Sequence, residues 1–177
     1  MVREQYRLDG IEVRTVLPKV APRISGQPIR LEQVVLNLLA NARDAVFSQK
    51  EMLVDGAGDR SRIEGGLIEV SAFVANDQND PESRERLEEL VINVSDNGGG
   101  IPEEDLNQVF EPFFTTKRAG QGTGLGLAIG FSIISAMGGT ISVANGARGA
   151  VFEIRLPVAE PAAATEPEIP QDSAADR

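Results

Sequence analysis

Hydrophobic positions along this chain switch between a period of two and a period of three to four, and each switch marks an element. The run Ile11-Glu-Val13-Arg-Thr-Val-Leu17 alternates as a first strand, and Pro18, Pro22, Gly26 and Pro28 then make a loop. From Arg30 the repeat becomes helical. Leu31, Val34, Val35, Leu38, Leu39, Ala42 and Val46 recur at three and four, which predicts an amphipathic helix with a wide apolar face. Residues 48–66 are polar and carry Gly56, Gly58, Gly65 and Gly66, the composition of a mobile connection.

A second strand is predicted over Leu67-Ile-Glu-Val70-Ser-Ala-Phe73-Val74. A charged insertion over 76–89 follows, whose part from Pro81 to Leu90 suits a polar helical turn or two. The apolar run Val91-Ile-Asn-Val-Ser-Asp96 is a third strand, expected to pair with the second as a hairpin. Pro102 to Phe110 predicts a short helix, with proline at its start and Glu103, Glu104 and Asp105 in the first turn. Leu127, Ile129, Ile133, Ile134 and Met137 mark a last helix, ended by Gly138-Gly139. Thr140 to Val143 and Ala150 to Leu156 are final strands, joined through Asn145-Gly146, a strong hairpin turn signal. After Pro157 the chain is rich in Ala, Glu and Pro and cannot bury a core, so the expected organisation is one domain over 1–157 and a disordered tail or linker over 158–177.

Composition narrows the chemistry. With 177 residues and 41% hydrophobic positions, the chain is long enough for one domain with a proper core. Cysteine is absent, which removes disulfides, thiolate metal sites and thiol nucleophiles. Histidine is absent as well, so neither an imidazole base nor a phosphohistidine acceptor comes from these residues. A formal charge of −10 argues against a nucleic-acid surface. No apolar run approaches the length of about eighteen residues that spans a bilayer, and no signal-peptide pattern opens the chain. A soluble chain that does not insert into a membrane is the expectation.

Three stretches carry candidate chemistry. Asp96 ends a buried strand and is followed by Asn97-Gly98-Gly99-Gly100-Ile101. A lone carboxylate beside a bare backbone suits a planar, amino-bearing ring such as adenine; a glycine turn with Asp96 bonding only its own loop is the plainer alternative. Asn37 and Asn41 stand four apart in the strong helix, where asparagine is a poor former. Either their amide oxygens serve a Mg²⁺ completed by phosphate and water, or they face solvent or cap a neighbouring loop. Finally, Phe110, Phe113 and Phe114 precede Lys117 and Arg118, and Gly120-Gln121-Gly122-Thr123-Gly124-Leu125-Gly126 then opens onto a helix. Free N–H groups and the positive end of a helix dipole suit phosphate there, with two cations adjacent; a floppy linker before a core helix is the alternative.

The order of these stretches, an Asn-x-x-x-Asn helix, Asp-x-Gly-x-Gly after a strand, a Phe-rich loop and Gly-x-Gly-x-Gly-Leu entering a helix, resembles the ATP-binding catalytic domain of bacterial sensor histidine kinases. That domain lies within the superfamily that also holds gyrase, Hsp90 and mismatch-repair ATPases. The likeness runs from about Ile11 to Leu156. It implies a two-layer α/β sandwich of the Bergerat type: a mixed, mostly antiparallel five-stranded sheet covered on one face by three helices, here those starting at Leu31, Pro102 and Gly124. ATP would lie between the helices and a lid.

Carried over, the resemblance makes Asn41 the first choice for Mg²⁺, with Asn37 close to it. Asp96 would take the adenine amine, with Gly98, Gly100 and Ile101 shaping the pocket. Phe110, Phe113 and Phe114 would root the lid, and Lys117, Arg118 and Gln121 would reach phosphates or metal. Gly122, Thr123, Gly124, Leu125 and Gly126 would lie under the phosphates. Many relatives carry a cation where this chain has Asp44, a further nucleotide-facing position, so the phosphate clamp would depend on Arg43, Lys117 and Arg118. Where ATP-hydrolysing relatives have a Glu base, this chain has Asn37, which cannot take a proton. The implied reaction is transfer of the γ-phosphoryl of Mg-ATP to a His on a separate dimerisation domain, with Glu32 as a carboxylate able to assist. A response regulator downstream, a cytoplasmic setting and a homodimeric parent protein are also implied. A nucleotide-holding interaction module and an ATPase switch are the rival expectations.

Overall fold

Alternation along the central strands decides where everything else sits. In a computed structural model that describes residues 2–54, 65–76, 88–117 and 122–159, the elements run α1 (Val2–Leu8), β1 (Ile11–Val16), α2 (Pro28–Val54), β2 (Gly66–Asn76), β3 (Glu88–Asp96), α3 (Gly126–Ala136), β4 (Thr140–Asn145) and β5 (Ala150–Pro157). One five-stranded sheet has the order β1-β2-β3-β5-β4. β1 and β2 run parallel, and the remaining pairs are antiparallel. The chain is therefore a mixed, mostly antiparallel sheet with helices, the α/β architecture expected.

Side chains two apart share one face of a strand. Leu90, Ile92 and Val94 of β3 join Phe152, Ile154 and Leu156 of β5 in the core, together with Ile68 of β2 and Ile141 of β4. The register sets Ile92 opposite Ile154, and Val94 opposite Phe152. Against that face pack Val34, Leu38, Leu39, Ala42 and Val46 of α2, with Ile133 and Ile134 of α3. Gly130 of α3 faces Val34 of α2, which a Cβ at that position would meet in ordinary contact at 3.5 Å.

Three local readings change. The helix expected over 102–110 is instead a run of turns, in which Asp105, Gln108 and Glu111 donate their N–H groups to the carbonyls of Pro102, Asp105 and Gln108. The segment buries Val109 fully and Phe110 partly, too narrow an apolar stripe to reward a regular helix over residues as polar as Asp105 and Asn107. The third helix is α1, anchored by Tyr6, a buried residue of the core cluster. α2 continues to Val54, beyond the loop start expected at Ser48, because Gln49, Lys50, Glu51, Met52 and Leu53 are all good helix formers. The expected mobile connection beyond Val54, the polar turn after Pro81 and the tail beyond Ala159 lie outside the described residues.

α3 ends in a Schellman motif: Gly138 is at φ 74°, and Gly139 and Gly138 donate N–H to the carbonyls of Ile134 and Ser135 at 3.0 Å each. At the sheet centre Ile154 is fully buried, so Ile154→Ala is expected to lower unfolding free energy by about 2–5 kcal/mol in urea titration. A loss near zero would contradict the pairing of β3 with β5 that puts Ile154 opposite Ile92.

Candidate functional site

Asp96 follows Leu90, Ile92 and Val94 in the same parity, so its side chain leaves β3 on the core face, toward the helix layer. There its Oδ1 accepts the N–H of Gly98 at 2.7 Å and that of Ala150 at 3.4 Å. Among the described residues Oδ2 accepts no bond. Burial pushes the carboxyl above the ordinary aspartate range, and the N–H groups of Gly98 and Ala150 pull it back in part.

Neighbouring side chains hold the loop that carries this acid. Asn97 accepts from the N–H of Leu67 at 2.8 Å and donates to the carbonyl of Gly65 at 3.1 Å, tying the loop to β2. Asn145 accepts from the N–H of Ile101 at 2.9 Å and donates to its carbonyl at 2.7 Å, tying the other end to β4. Neither Asn97 nor Asn145 figures among the residues expected from the sequence; a β4 residue far along the chain gives no local sign of such a clamp. The glycines fit for reasons beyond ligand room. A Cβ on Gly98 would sit 2.6 Å from Ala45 of α2, and one on Gly100, at φ +84°, 2.7 Å from Asn145 Oδ1. Gly149 has no space because Asp96 itself fills it.

The N-terminus of α3 closes the opposite side. Its N-cap, Leu125, makes no side-chain capping bond, although Leu125 N–H reaches Thr123 Oγ1 at 3.4 Å. A side chain at Gly126 would collide with the amide of Asn37, so the helix start abuts that asparagine. Asn37 Nδ2 is buried without a hydrogen-bond partner. One turn along, Asn41 Oδ1 accepts from the ammonium of Lys117 at 3.4 Å, and the same ammonium donates to Asp44 Oδ2 at 2.6 Å.

Lys117 comes from the Phe-rich segment, which divides in its roles. Phe110 packs inward, with ring centroids 5.8 Å from Phe131 and 6.4 Å from Phe152. Phe113 is 74% exposed, and it holds a positive φ of 70°, a region costly for a bulky residue. Its N–H donates to the carbonyl of Gly124 at 2.9 Å, and a side chain at Gly124 would strike the Phe113 backbone. The aromatic segment and the glycine loop are thus buttoned together. Phe114 is half-buried. Gly122 leaves space for Thr115 and Lys117. Arg118 and Gln121 lie outside the described residues.

Two expected residues stand elsewhere. Arg43 does not join the cations beside the glycine loop. Its guanidinium donates to Asp9 at 2.8 Å and lies 5.8 and 5.0 Å from the ring centres of Tyr6 and Phe47, so it fastens α1 to α2. Glu32 is exposed beside a groove of Ile24, Pro28, Leu31, Val35 and Leu36. It lies about two and a half turns before Asn41 and so on the opposite side of α2, which separates it from the asparagines.

Among the described residues no cluster of three acids exists that would hold a metal alone. The oxygen donors present are the amide oxygen of Asn41, already turned on a cation, and one carboxylate at Asp44; the orphaned atom of Asn37 is its Nδ2, a hydrogen-bond donor rather than a metal ligand. That set fits a Mg²⁺ that draws most of its ligands from phosphate and water.

Comparison with known proteins bears on the family and the fold. The sequence model described as histidine kinase-, DNA gyrase B- and HSP90-like ATPase matches residues 26–160. The two-component sensor PprA of Pseudomonas aeruginosa is 39% identical over 164 residues, 93% of this chain and 16% of that protein. The sensor histidine kinase ZraS of Salmonella typhimurium is 36% identical over 159 residues, 89% of this chain and 28% of its own length. The chain thus spans well under a third of these relatives. Among solved structures, the catalytic domain of histidine kinase ThkA superposes with a TM-score of 0.62 at 28% identity, covering 88% of this chain and 85% of that one. Full-length ShkA in complex with AMPPNP does so with 0.65 at 26% identity, covering 92% and 28%.

The raised carboxyl of Asp96 gives a stability test. Because its folded value lies above the unfolded one, the ionised group costs folding free energy at neutral pH, and that cost fades as pH falls through the folded value. Asp96→Asn keeps an acceptor for Gly98 and removes the charge. The variant is expected to melt at or above the wild-type temperature at pH 7 in ligand-free protein, with the difference vanishing in acid; a clear drop at pH 7 would assign Asp96 to the scaffold.

Proposed function

The chain belongs to the histidine kinase-, DNA gyrase B- and HSP90-like ATPase family, and from that premise we propose that it is the ATP-binding catalytic domain of a two-component sensor histidine kinase. The observation that carries the reading is the pairing of a half-buried, half-satisfied carboxylate at Asp96 with an asparagine helix that already gathers a cation opposite a helix N-terminus. One end suits a purine amine and the other a chain of phosphates. The names of PprA and ZraS, a two-component sensor and a sensor histidine kinase, support the signalling role.

In this reading Asp96 accepts the exocyclic amine of adenine, and the loop of Gly98, Gly100 and Ile101 forms the wall around the ring. Gly122, Thr123, Gly124, Leu125 and Gly126 offer backbone N–H groups to the phosphates, with Lys117 as a local cation. Arg118 and Gln121 are proposed to add to that charge and to the metal shell. Asn41, with Asn37 beside it, holds Mg²⁺, which when bound neutralises charge on the phosphate oxygens. The chain's work is positioning and electrostatics.

Asn37 has no proton affinity to activate water, so hydrolysis is slow and the γ-phosphoryl waits for a stronger nucleophile. A neutral imidazole nitrogen on a separate dimerisation domain supplies it. The new N–P bond forms as the bond from the γ-phosphorus to the bridging oxygen breaks, and ADP departs with that electron pair. This chain has no histidine of its own. A response regulator then receives the phosphoryl group, and the whole protein works as a homodimer in the cytoplasm or on its membrane face. Among the described residues no helix is long and apolar enough to cross a membrane.

Incubating the chain with Mg-ATP and a His-bearing dimerisation domain is expected to label that domain, with little phosphate released when it is omitted. Steady phosphate release without an acceptor would identify an ATPase switch, and absence of nucleotide binding an interaction module. Asp96→Asn is expected to weaken ATP binding at least about tenfold by calorimetry while the fold stays intact, since losing the charged partner of a hydrogen bond costs about 1.5–3 kcal/mol. Unchanged affinity would contradict the adenine contact.

A further inference from the structure

Asp44 is a carboxylate beside what the proposed function makes a polyanion site, and its partner explains how it can be there. Asn41 and Asp44 are three apart on α2 and so share a face. Both turn an oxygen on the same ammonium, that of Lys117, at 3.4 and 2.6 Å. The side chains of Lys117 and Asp44 are 33% and 42% exposed, a setting in which an ion pair adds little to stability. A stabilising role therefore accounts poorly for a contact that bridges 73 positions of sequence.

The donor chemistry accounts for it better. A carboxylate and an amide oxygen side by side are hard donors of the kind Mg²⁺ takes, and a lysine ammonium is a compact point charge on a flexible stem that can enter and leave such a place. We propose that Asn41 and Asp44 form a cation-exchange pair in which Lys117 holds the position of the divalent ion until Mg-nucleotide displaces it. The proposal rests on the nucleotide-binding reading above and adds to it a role for Asp44 and a reason for its sign. A carboxylate facing phosphates needs a cation beside it at every stage: Lys117 before binding, the metal afterwards. Once released, the ammonium remains at the mouth of the glycine loop, where Gly122 packs on its stem.

A simple salt bridge and an exchange pair predict different behaviour. If the pair is structural, removing either partner breaks the same contact and both variants shift alike. If the cations exchange, the two variants move in opposite directions. The readout is the ratio of ADP dissociation constants in EDTA and in excess Mg²⁺, measured by calorimetry on the full chain. Asp44→Asn removes the repulsion that the metal relieves and one of its donors, so the ratio falls roughly threefold to tenfold below wild type. Lys117→Met leaves Asp44 without its internal cation and spares the metal a competitor, so the ratio rises by roughly the same factor. Shifts in the same direction, or none, while wild type binds ADP would overturn the exchange pair and leave the nucleotide site standing. Wild type that binds no ADP in either buffer would overturn the site itself and the pair with it.

Discussion

The site depends on an ionisable group half withdrawn from water. Asp96 sits on the core side of β3 at the point where the strand stops, and two backbone N–H groups satisfy one of its oxygens. Its environment raises the carboxyl above its usual range, which means that the fold bears a cost at neutral pH for keeping it charged. Proteins keep such groups where a ligand repays them. The surrounding loop is accordingly over-determined: Asn97 fixes it to β2, Asn145 fixes it to β4, and the absent side chain of Gly98 lets it lie on α2.

From that point the geometry spreads along one helix. α2 is both the main cover of the sheet and the bearer of the polar residues, and it separates these duties by face. Leu38, Ala42 and Val46 enter the core, Asn37 meets the start of α3, and Asn41 and Asp44 meet Lys117. Arg43, between the last two, points elsewhere and grips α1 through Asp9, Tyr6 and Phe47. The residues that line the candidate site and the residue that anchors the first helix are therefore neighbours on one rigid element, joined to the sheet by the same apolar stripe.

Periodicity made the sheet and its two main helices readable. The run ending at Asp96 is apolar and β-branched, the run ending at Leu156 alternates, and the stripe from Leu31 to Val46 could belong only to a helix. What escaped has physical reasons. Among the described residues α1 offers one buried side chain, Tyr6, and so no pattern. The 102–110 segment carries helix-start signals, but tertiary packing of Val109 and Phe110 selects turns over helix. The polar residues after Ser48 read as a loop because exposure and irregularity look alike in composition, whereas their propensities are helical. In the candidate site, the asparagine, aspartate and glycine boxes were legible as boxes. Which partner each takes was not: the Lys117 to Asp44 contact, the Asn145 clamp and the diversion of Arg43 are all made between residues more than thirty positions apart.

The proposed function turns on Asp96 reading the amine of an adenine ring. Calorimetric titration of the wild-type chain with ADP and with inosine diphosphate, both with excess Mg²⁺, tests it with only the N1 and C6 edge of the base changed. The two share every phosphate and ribose contact, while hypoxanthine offers a carbonyl where adenine offers the amine. ADP is expected to bind at least about tenfold more tightly, the cost of facing the half-buried carboxylate with an acceptor. Equal affinity for the two nucleotides would contradict it.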